Sequence, residues 1–85
     1  MNYAVAYKPS AEQELARLWT VAADRNAVTA AANRIDVLLG TDPHNQGESR
    51  ADGTRILFER PLAVRFEVSE QDRYVDVLQV WWIGG

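Results

Sequence analysis

Residues 54–83 read TRILFERPLAVRFEVSEQDRYVDVLQVWWI and carry the pattern that decides the fold. Apolar residues alternate there with polar or charged ones, which indicates β-strands with one face on a core. Two breaks, at Arg60-Pro61 and at the polar run 70–73, are typical of tight turns. The stretch therefore predicts three antiparallel strands, over Ile56–Glu59, Leu62–Ser69 and Tyr74–Ile83.

Arginines stand on these strands as well as beside the turns. Arg65 lies in mid-strand, and Arg55 and Arg60 lie close to strand ends. Burying an unpaired guanidinium is costly, so such a side chain must face solvent or an anionic partner. The sheet is therefore predicted to have one face on the core and one open face, where function is expected.

The N-terminal part of the chain predicts a strand followed by a helix. Alternation over Asn2–Lys8 indicates the strand. Ser10 and Gln13 match a capping box at the start of the first helix. Leu15 and Trp19 follow at helical spacing, so their stripe is expected in the core.

A second helix is predicted after Asp24, its N-cap, with Gly40 as the residue just beyond its C-terminus. Its apolar stripe, which includes Ile35 and Leu38, is expected in the core. The two helices are expected to form an antiparallel hairpin. The polar loop over 41–53 is long for a small domain, and such loops are usually functional or mobile.

The order of these elements, β-α-α-β-β-β, predicts an α+β fold. The helical hairpin is expected to pack on one face of a mainly antiparallel four-stranded sheet. The 85 residues suit one domain that spans 1–85.

Composition narrows the function. A net charge of −3 counts against a broad nucleic-acid binder, and the lack of cysteine excludes disulfides and thiolate metal sites. With a single histidine, no metal site is predicted, and no motif indicates a cofactor. No apolar run approaches the length of a membrane span, so a cytoplasmic protein without a membrane partner is expected.

Two groups of residues carry a family likeness. The first is YKPSAEQEL at Tyr7–Leu15, a strand that runs into a helix. The second comprises RILF at 55–58, VRFEV at 64–68 and VLQVW at 77–81, where a strand arginine is followed by alternating apolar residues. In order and pattern the chain resembles the RelE/ParE superfamily of bacterial toxins, also known as plasmid stabilisation proteins, over essentially its whole length.

The resemblance implies the toxin of a type II toxin–antitoxin pair, neutralised by a small cognate antitoxin. RelE-like members cleave mRNA on the ribosome, whereas ParE-like members inhibit DNA gyrase without catalysis. By position, Arg65 matches the arginine that contacts the phosphate in RelE-like enzymes, and Arg55 or Arg60 would assist as further catalytic cations.

Other readings stay open beside ribosome-dependent cleavage. Lys8 is the only lysine, although RelE-like enzymes carry lysines on the strand before the arginine. This favours a toxin that only binds its target, or a non-toxic interaction module of the same fold, over a strong nuclease. A homodimer is also compatible with the sequence.

The last strand contributes an aromatic candidate. Trp81 and Trp82 point to opposite faces because side chains alternate along a strand. One indole is therefore expected in the core. The other is expected beside the arginines, where Trp81 is the candidate to stack an RNA base or anchor a partner.

His44 and Glu67 complete the candidates for contacts with RNA or a partner. Histidine is the residue type that titrates near neutrality, but the turn-like surroundings of His44 also fit a solvated loop. Glu67 is a candidate base or an ordinary exposed charge. Arg65 is accordingly either a phosphate ligand or the ion-pair partner of Glu67 or Glu59.

Overall fold

The structure is a computed structural model that describes residues 2–85. The strands that these residues form make one mixed sheet of five, in the order β1-β5-β4-β3-β2. The strands are β1 (Ala4–Tyr7), β2 (Glu48–Ser49), β3 (Arg55–Glu59), β4 (Leu62–Ser69) and β5 (Tyr74–Trp82).

Most neighbouring strands are antiparallel, and only β1 runs parallel to its neighbour, β5, in the described chain. The three predicted C-terminal strands are confirmed. The predicted number of four strands is wrong, because the loop over 41–53 contributes the short strand β2. Its two residues, Glu48 and Ser49, are polar and exposed, so apolar alternation could not reveal them.

The first helix, α1 (Pro9–Val21), begins two residues earlier than predicted. Lys8 is its N-cap residue, and in the described chain no side chain caps this end, so the predicted capping box of Ser10 and Gln13 is wrong. Proline explains the shift, because its fixed φ suits the first helical position and it has no N–H to satisfy. Ser10 is consequently already inside the first turn.

The second helix, α2 (Arg25–Thr41), begins as predicted: the Asp24 carboxylate accepts a hydrogen bond from the Ala27 N–H at 3.1 Å. The predicted role of Gly40 is wrong, because the helix continues through it. The Gly40 carbonyl accepts a hydrogen bond from the Tyr3 N–H at 2.7 Å. The end of α2 is thereby joined to the start of β1.

The core lies between the two helices and one face of the sheet. Ile35 is buried as predicted, while Leu15 and Leu38 are half-buried and pack against the core. Trp19 is 43% exposed, so the prediction of a core residue is wrong. Its indole N–H donates to the Thr29 hydroxyl at 3.1 Å, which holds the ring across the outer side of the helical hairpin.

Neither helix is both long and apolar enough to cross a bilayer, as far as residues 2–85 are concerned. After α2 the chain makes a short 3₁₀ turn over Pro43–Asn45 and then enters the loop that leads to β3.

Candidate functional site

A β-bulge places two side chains of β5 opposite Arg65. Arg65 pairs with Gln79, while the next residue of β4, Phe66, pairs with Val77, so Leu78 is an extra residue in β5. Phe66 and Val77 are fully buried on the helix-facing side of the sheet. Arg65 therefore lies on the opposite, open face, as predicted. Gln79, which follows the bulge, lies directly opposite Arg65.

The open face and the start of α1 enclose a cleft of about 480 Å³. β1 pairs with β5 only as far as Val77, so the second half of β5 has no strand partner on that side among the described residues. Side chains from α1, β3, β4 and β5 therefore meet there. The cleft is lined by Ser10, Glu14, Ile56, Arg65, Gln79 and Trp81, among others.

Within the cleft, Arg65 is held by the loop that precedes β3. Its Nη1 donates to Asp52 Oδ2 at 3.2 Å and to Thr54 Oγ1 at 3.3 Å. Its Nε is buried and has no hydrogen-bond partner among the described residues. An unsatisfied buried donor is costly, so Arg65 has unused hydrogen-bonding capacity beside the cleft.

The predicted alternative partners of Arg65 are both wrong. Glu59 lies on the other face and pairs with Arg34 at 2.6 Å. Glu67 is exposed on the same face as Arg65 but forms no ion pair within residues 2–85. The actual partner is Asp52, a loop residue whose proximity the strand pattern could not indicate.

Asp52 remains ionised in this arrangement. Hydrogen bonds from the Thr54 hydroxyl and N–H, together with the charge of Arg65, lower the pKa of the Asp52 carboxyl below its ordinary value. At ordinary pH the guanidinium of Arg65 therefore has an ionised carboxylate beside it.

The carboxylate that lines the cleft, Glu14, is engaged as well. Arg17 donates to both of its oxygens, at 2.9 and 2.6 Å, and these bonds lower the pKa of Glu14. The positive charges of Arg65 and Arg17 thus stand against the negative charges of Asp52 and Glu14. The cleft therefore has no excess of positive charge that would attract a polyanion such as RNA.

The other two predicted catalytic arginines are not brought to Arg65. Arg55 pairs with Phe66, so its side chain lies on the helix-facing side, where it donates to the loop at 46–49. Arg60 lies in the β3–β4 turn and donates weakly to the carbonyls of Ile83 and Gly84, at 3.5 and 3.4 Å. Neither can act on a group bound beside Arg65.

His44 belongs to a separate polar cluster, which is formed with Tyr3, Glu70 and Arg73. Its Nε2 lies 2.6 Å from Glu70 Oε2, which also accepts a 2.6 Å hydrogen bond from the Tyr3 hydroxyl. Arg73 binds Glu70 Oε1 at 2.6 Å and stacks on the Tyr3 ring at 4.0 Å. These bonds, those from Tyr3 and His44 above all, lower the pKa of Glu70 to about 2. Sequence reasoning missed this cluster, because nothing local links residues almost seventy positions apart.

The two tryptophans point to opposite faces, as predicted. Trp81 is half-buried and lines the cleft beside Arg65, whereas Trp82 lies on the other side and is 48% exposed. The expectation that one indole belongs to the core is wrong. Trp82 instead lines an apolar groove of about 500 Å³ with residues from the end of α1, such as Val21 and Ala22.

Residues 2–85 contain no group of three or more His, Cys, Asp or Glu side chains placed to hold a metal ion.

No family model matches the chain. No curated protein matches it either.

Structural comparison does identify similar proteins. One is a chain of the RelBE2 toxin–antitoxin complex from Mycobacterium tuberculosis, with 18% sequence identity and a TM-score of 0.80 over 96% of this chain and 92% of that chain. Another is a chain of the chromosomal ParDE toxin–antitoxin system from P. aeruginosa, with 19% identity and a TM-score of 0.74 over 95% of this chain and 96% of that chain. The chain therefore has the RelE/ParE toxin fold, which confirms the predicted fold.

Proposed function

We propose that this chain is the toxin of a type II toxin–antitoxin pair and that it inhibits growth by binding an essential target in the bacterial cytoplasm. The observation that carries the proposal is the near-full-length structural likeness to chains of two toxin–antitoxin systems. The resemblance in the sequence, from the first strand to the strand arginine, supports the same conclusion.

The charge balance of the cleft favours binding over catalysis. RNA cleavage by attack of a 2′-hydroxyl needs a base, a proton donor and cations that stabilise the charge on the phosphate. Here Arg65 is paired with Asp52, and Glu14 is paired with Arg17. Arg55 and Arg60, which would have supplied the remaining cations, lie elsewhere. DNA gyrase, the target of ParE-like toxins, is accordingly the first target to test.

Ribosome-dependent mRNA cleavage is the second candidate, and one observation favours it. Arg65 and Trp81 line the same cleft, so a guanidinium and an indole are placed where a phosphate and a base would meet them. In this reading the phosphate displaces Asp52 from Arg65, and the ribosome supplies the missing groups.

The antitoxin is proposed to bind apolar surface outside the cleft. Trp19, Val21, Val37 and Trp82 are between 43% and 66% exposed, which is high for large apolar side chains. The grooves beside Trp19, Val21 and Trp82, of about 500 and 540 Å³, are lined mainly by apolar groups, most of them from the two helices. A small protein that wraps the helical hairpin would cover this surface.

The test is inducible expression in bacteria of the wild type, Arg65→Ala and Arg60→Ala. Arg60→Ala is the matched control, since it removes the same charge outside the cleft. Growth, plasmid supercoiling and mRNA 5′ ends are measured, and circular dichroism checks the folding of each variant. Growth arrest with altered supercoiling, lost in Arg65→Ala and kept in Arg60→Ala, is the expected result.

Other outcomes separate the alternatives. Arrest with cut mRNA that depends on Arg65 would establish the nuclease. If the folded Arg65→Ala variant still arrests growth, Arg65 and its cleft are not needed for growth inhibition. A complete lack of growth arrest would contradict the proposal of a toxin and would favour the alternative, a non-toxic interaction module.

A further inference from the structure

A second, smaller cavity lies at the loop end of the sheet, on the side to which Arg55 points. Its volume is about 190 Å³. Two guanidinium groups, one imidazole and the Ser49 hydroxyl line it, and none of the lining residues in the described chain carries a carboxylate. Thr54 also contributes to the lining, but its hydroxyl is already bonded to Asp52 and Arg65. The polar lining residues are His44, Ser49, Arg50, Thr54 and Arg55.

Arg55 is already fixed in position beside this cavity. Its Nε donates to the Gln46 carbonyl at 2.8 Å, its Nη1 to Ser49 Oγ at 2.6 Å and its Nη2 to the Gly47 carbonyl at 3.1 Å. A guanidinium has five N–H groups, so these three bonds leave two donors in a rigid fork. A bound anion would therefore meet a cation whose side-chain entropy has already been lost.

Arg50 is a second cation with weak attachments. Its Nη1 lies 3.2 Å from Glu48 Oε1 and 3.4 Å from the Ser49 carbonyl. Glu48 is 71% exposed, and surface pairs of this kind contribute about 0–1 kcal/mol. An anion in the cavity can therefore recruit Arg50 at little cost.

The charges around the cavity favour an anion even though the protein is acidic overall. Arg50 and Arg55 are the arginines of the lining, and Glu48 is the one carboxylate that contacts either of them among the described residues, which leaves one positive charge in excess. Glu70 is engaged by Tyr3, His44 and Arg73, so its charge is satisfied within its own cluster. Asp52 pairs with Arg65 on the opposite face, and Asp42 accepts hydrogen bonds from the Asn45 side-chain amide.

We infer that this cavity is a binding site for a single phosphate group, held by Arg50, Arg55 and the Ser49 hydroxyl. Arginine forks bind two phosphate oxygens at once, and a hydroxyl supplies a third donor. The cavity is smaller than the roughly 300–1,000 Å³ typical of sites for drug-sized ligands, so it suits one phosphate and not a whole nucleotide. The phosphate comes either from a free phosphate or monoester, or from the backbone of a nucleic acid.

This site goes beyond the proposed function, because it lies across the sheet from the Arg65 cleft. The experiment is a ¹H–¹⁵N NMR titration of the whole chain with inorganic phosphate, against sodium chloride at matched ionic strength. Saturable shifts are expected for the amides of residues 49–55. Arg50→Gln is expected to weaken binding about tenfold or more, the effect of one charged hydrogen bond. Arg60→Gln, which removes the same charge at the other end of the sheet, is expected to leave it unchanged.

A second arm identifies the source of the phosphate. A short single-stranded RNA without terminal phosphates is titrated in the same way, and inorganic phosphate is then added as competitor. Shifts of the same amides that phosphate reverses would assign the site to a nucleic-acid backbone, whereas a response to inorganic phosphate alone would assign it to a free phosphate or monoester. The inference is overturned if neither probe shifts these amides, or if Arg50→Gln and Arg60→Gln bind phosphate equally well.

Discussion

Gly47 occupies a backbone conformation that a side chain does not tolerate at this place. Its φ is +69°, and a Cβ built on it would lie 2.3 Å from the carbonyl oxygen of Ile56. The close approach brings β2 alongside β3 and positions the carbonyl that Arg55 binds. Only glycine permits both the left-handed φ and the contact.

Gly47→Ala is therefore expected to destabilise the protein by on the order of 3 kcal/mol, because strain and a backbone clash add together. Gly53→Ala is the matched control. Gly53 also has a positive φ, of +86°, but no described atom lies within 4 Å of its added Cβ. Its cost should be about 1–2 kcal/mol, from strain alone. Urea unfolding monitored by circular dichroism measures both, and equal losses would show that the contact with Ile56 is unimportant.

Glu70 makes stability depend on pH in the acid range. Its pKa is lowered from the ordinary 4.5 to about 2, so the folded chain binds this proton more weakly than the unfolded chain. The contribution of Glu70 to stability is therefore complete above about pH 4.5 and is lost as the pH falls toward 2. Glu70→Gln should flatten the decline in the free energy of unfolding between pH 5 and 2.

Urea unfolding at several pH values tests this, with Glu67→Gln as control, because Glu67 forms no ion pair within residues 2–85. A pH profile that is the same for Glu70→Gln and Glu67→Gln would show that the Tyr3–His44–Glu70–Arg73 cluster does not hold this carboxylate.

At the scale of elements, the end of a helix could be predicted from the sequence where one residue acts on its own neighbours. Asp24 caps α2 because its carboxylate needs only an N–H three residues ahead. Gly40 was misread for the opposite reason: the end of α2 is decided by a hydrogen bond from Tyr3, a residue from another element. Trp19 shows the same limit, because helical spacing places it on the apolar stripe and only packing shows that it remains exposed.

Gly40→Ala tests the revised end of α2. In a helical conformation alanine is favoured over glycine by about 0.5–1 kcal/mol, and the added Cβ would be 3.6 Å from the Tyr3 carbonyl oxygen, an ordinary contact. The variant is expected to be as stable as the wild type or slightly more stable in thermal unfolding. A loss of 1 kcal/mol or more would instead support the left-handed cap that the sequence pattern indicated.

At the scale of the whole molecule, both helices and the central strands share one buried core. Hydrogen exchange should therefore show the slowest amides in the strands around Phe66, Val75 and Val77, with the inner face of α2 exchanging at a similar free energy. The loop over 43–53 is expected to exchange earlier, because most of its residues are exposed. If α2 lost protection at much lower denaturant than β4 and β5, the core would not be one cooperative unit.

The sequence predicted the fold much better than the site. Alternation and helical spacing report on which side chains are buried, so the α+β arrangement and the open face of Arg65 followed from them. The site depends on contacts between distant segments: Asp52 reaches Arg65 from a loop, and Glu70 reaches His44 from a turn. Placing Arg55, Arg60 and Arg65 together failed for two reasons. Arg55 and Arg65 lie at the same end of the hairpin but on opposite faces, and Arg60 lies in the turn at the other end.

The bulge in β5 affects how the cleft of this protein can evolve. Leu78 is the one residue of its strand that stands outside the pairing with β4, since Val77 and Gln79 already oppose Phe66 and Arg65. A substitution at Leu78 can therefore change a wall of the cleft, while the pairs that β5 forms with β4 keep their register. The ligand specificity of the cleft can therefore change without compensating substitutions in the core.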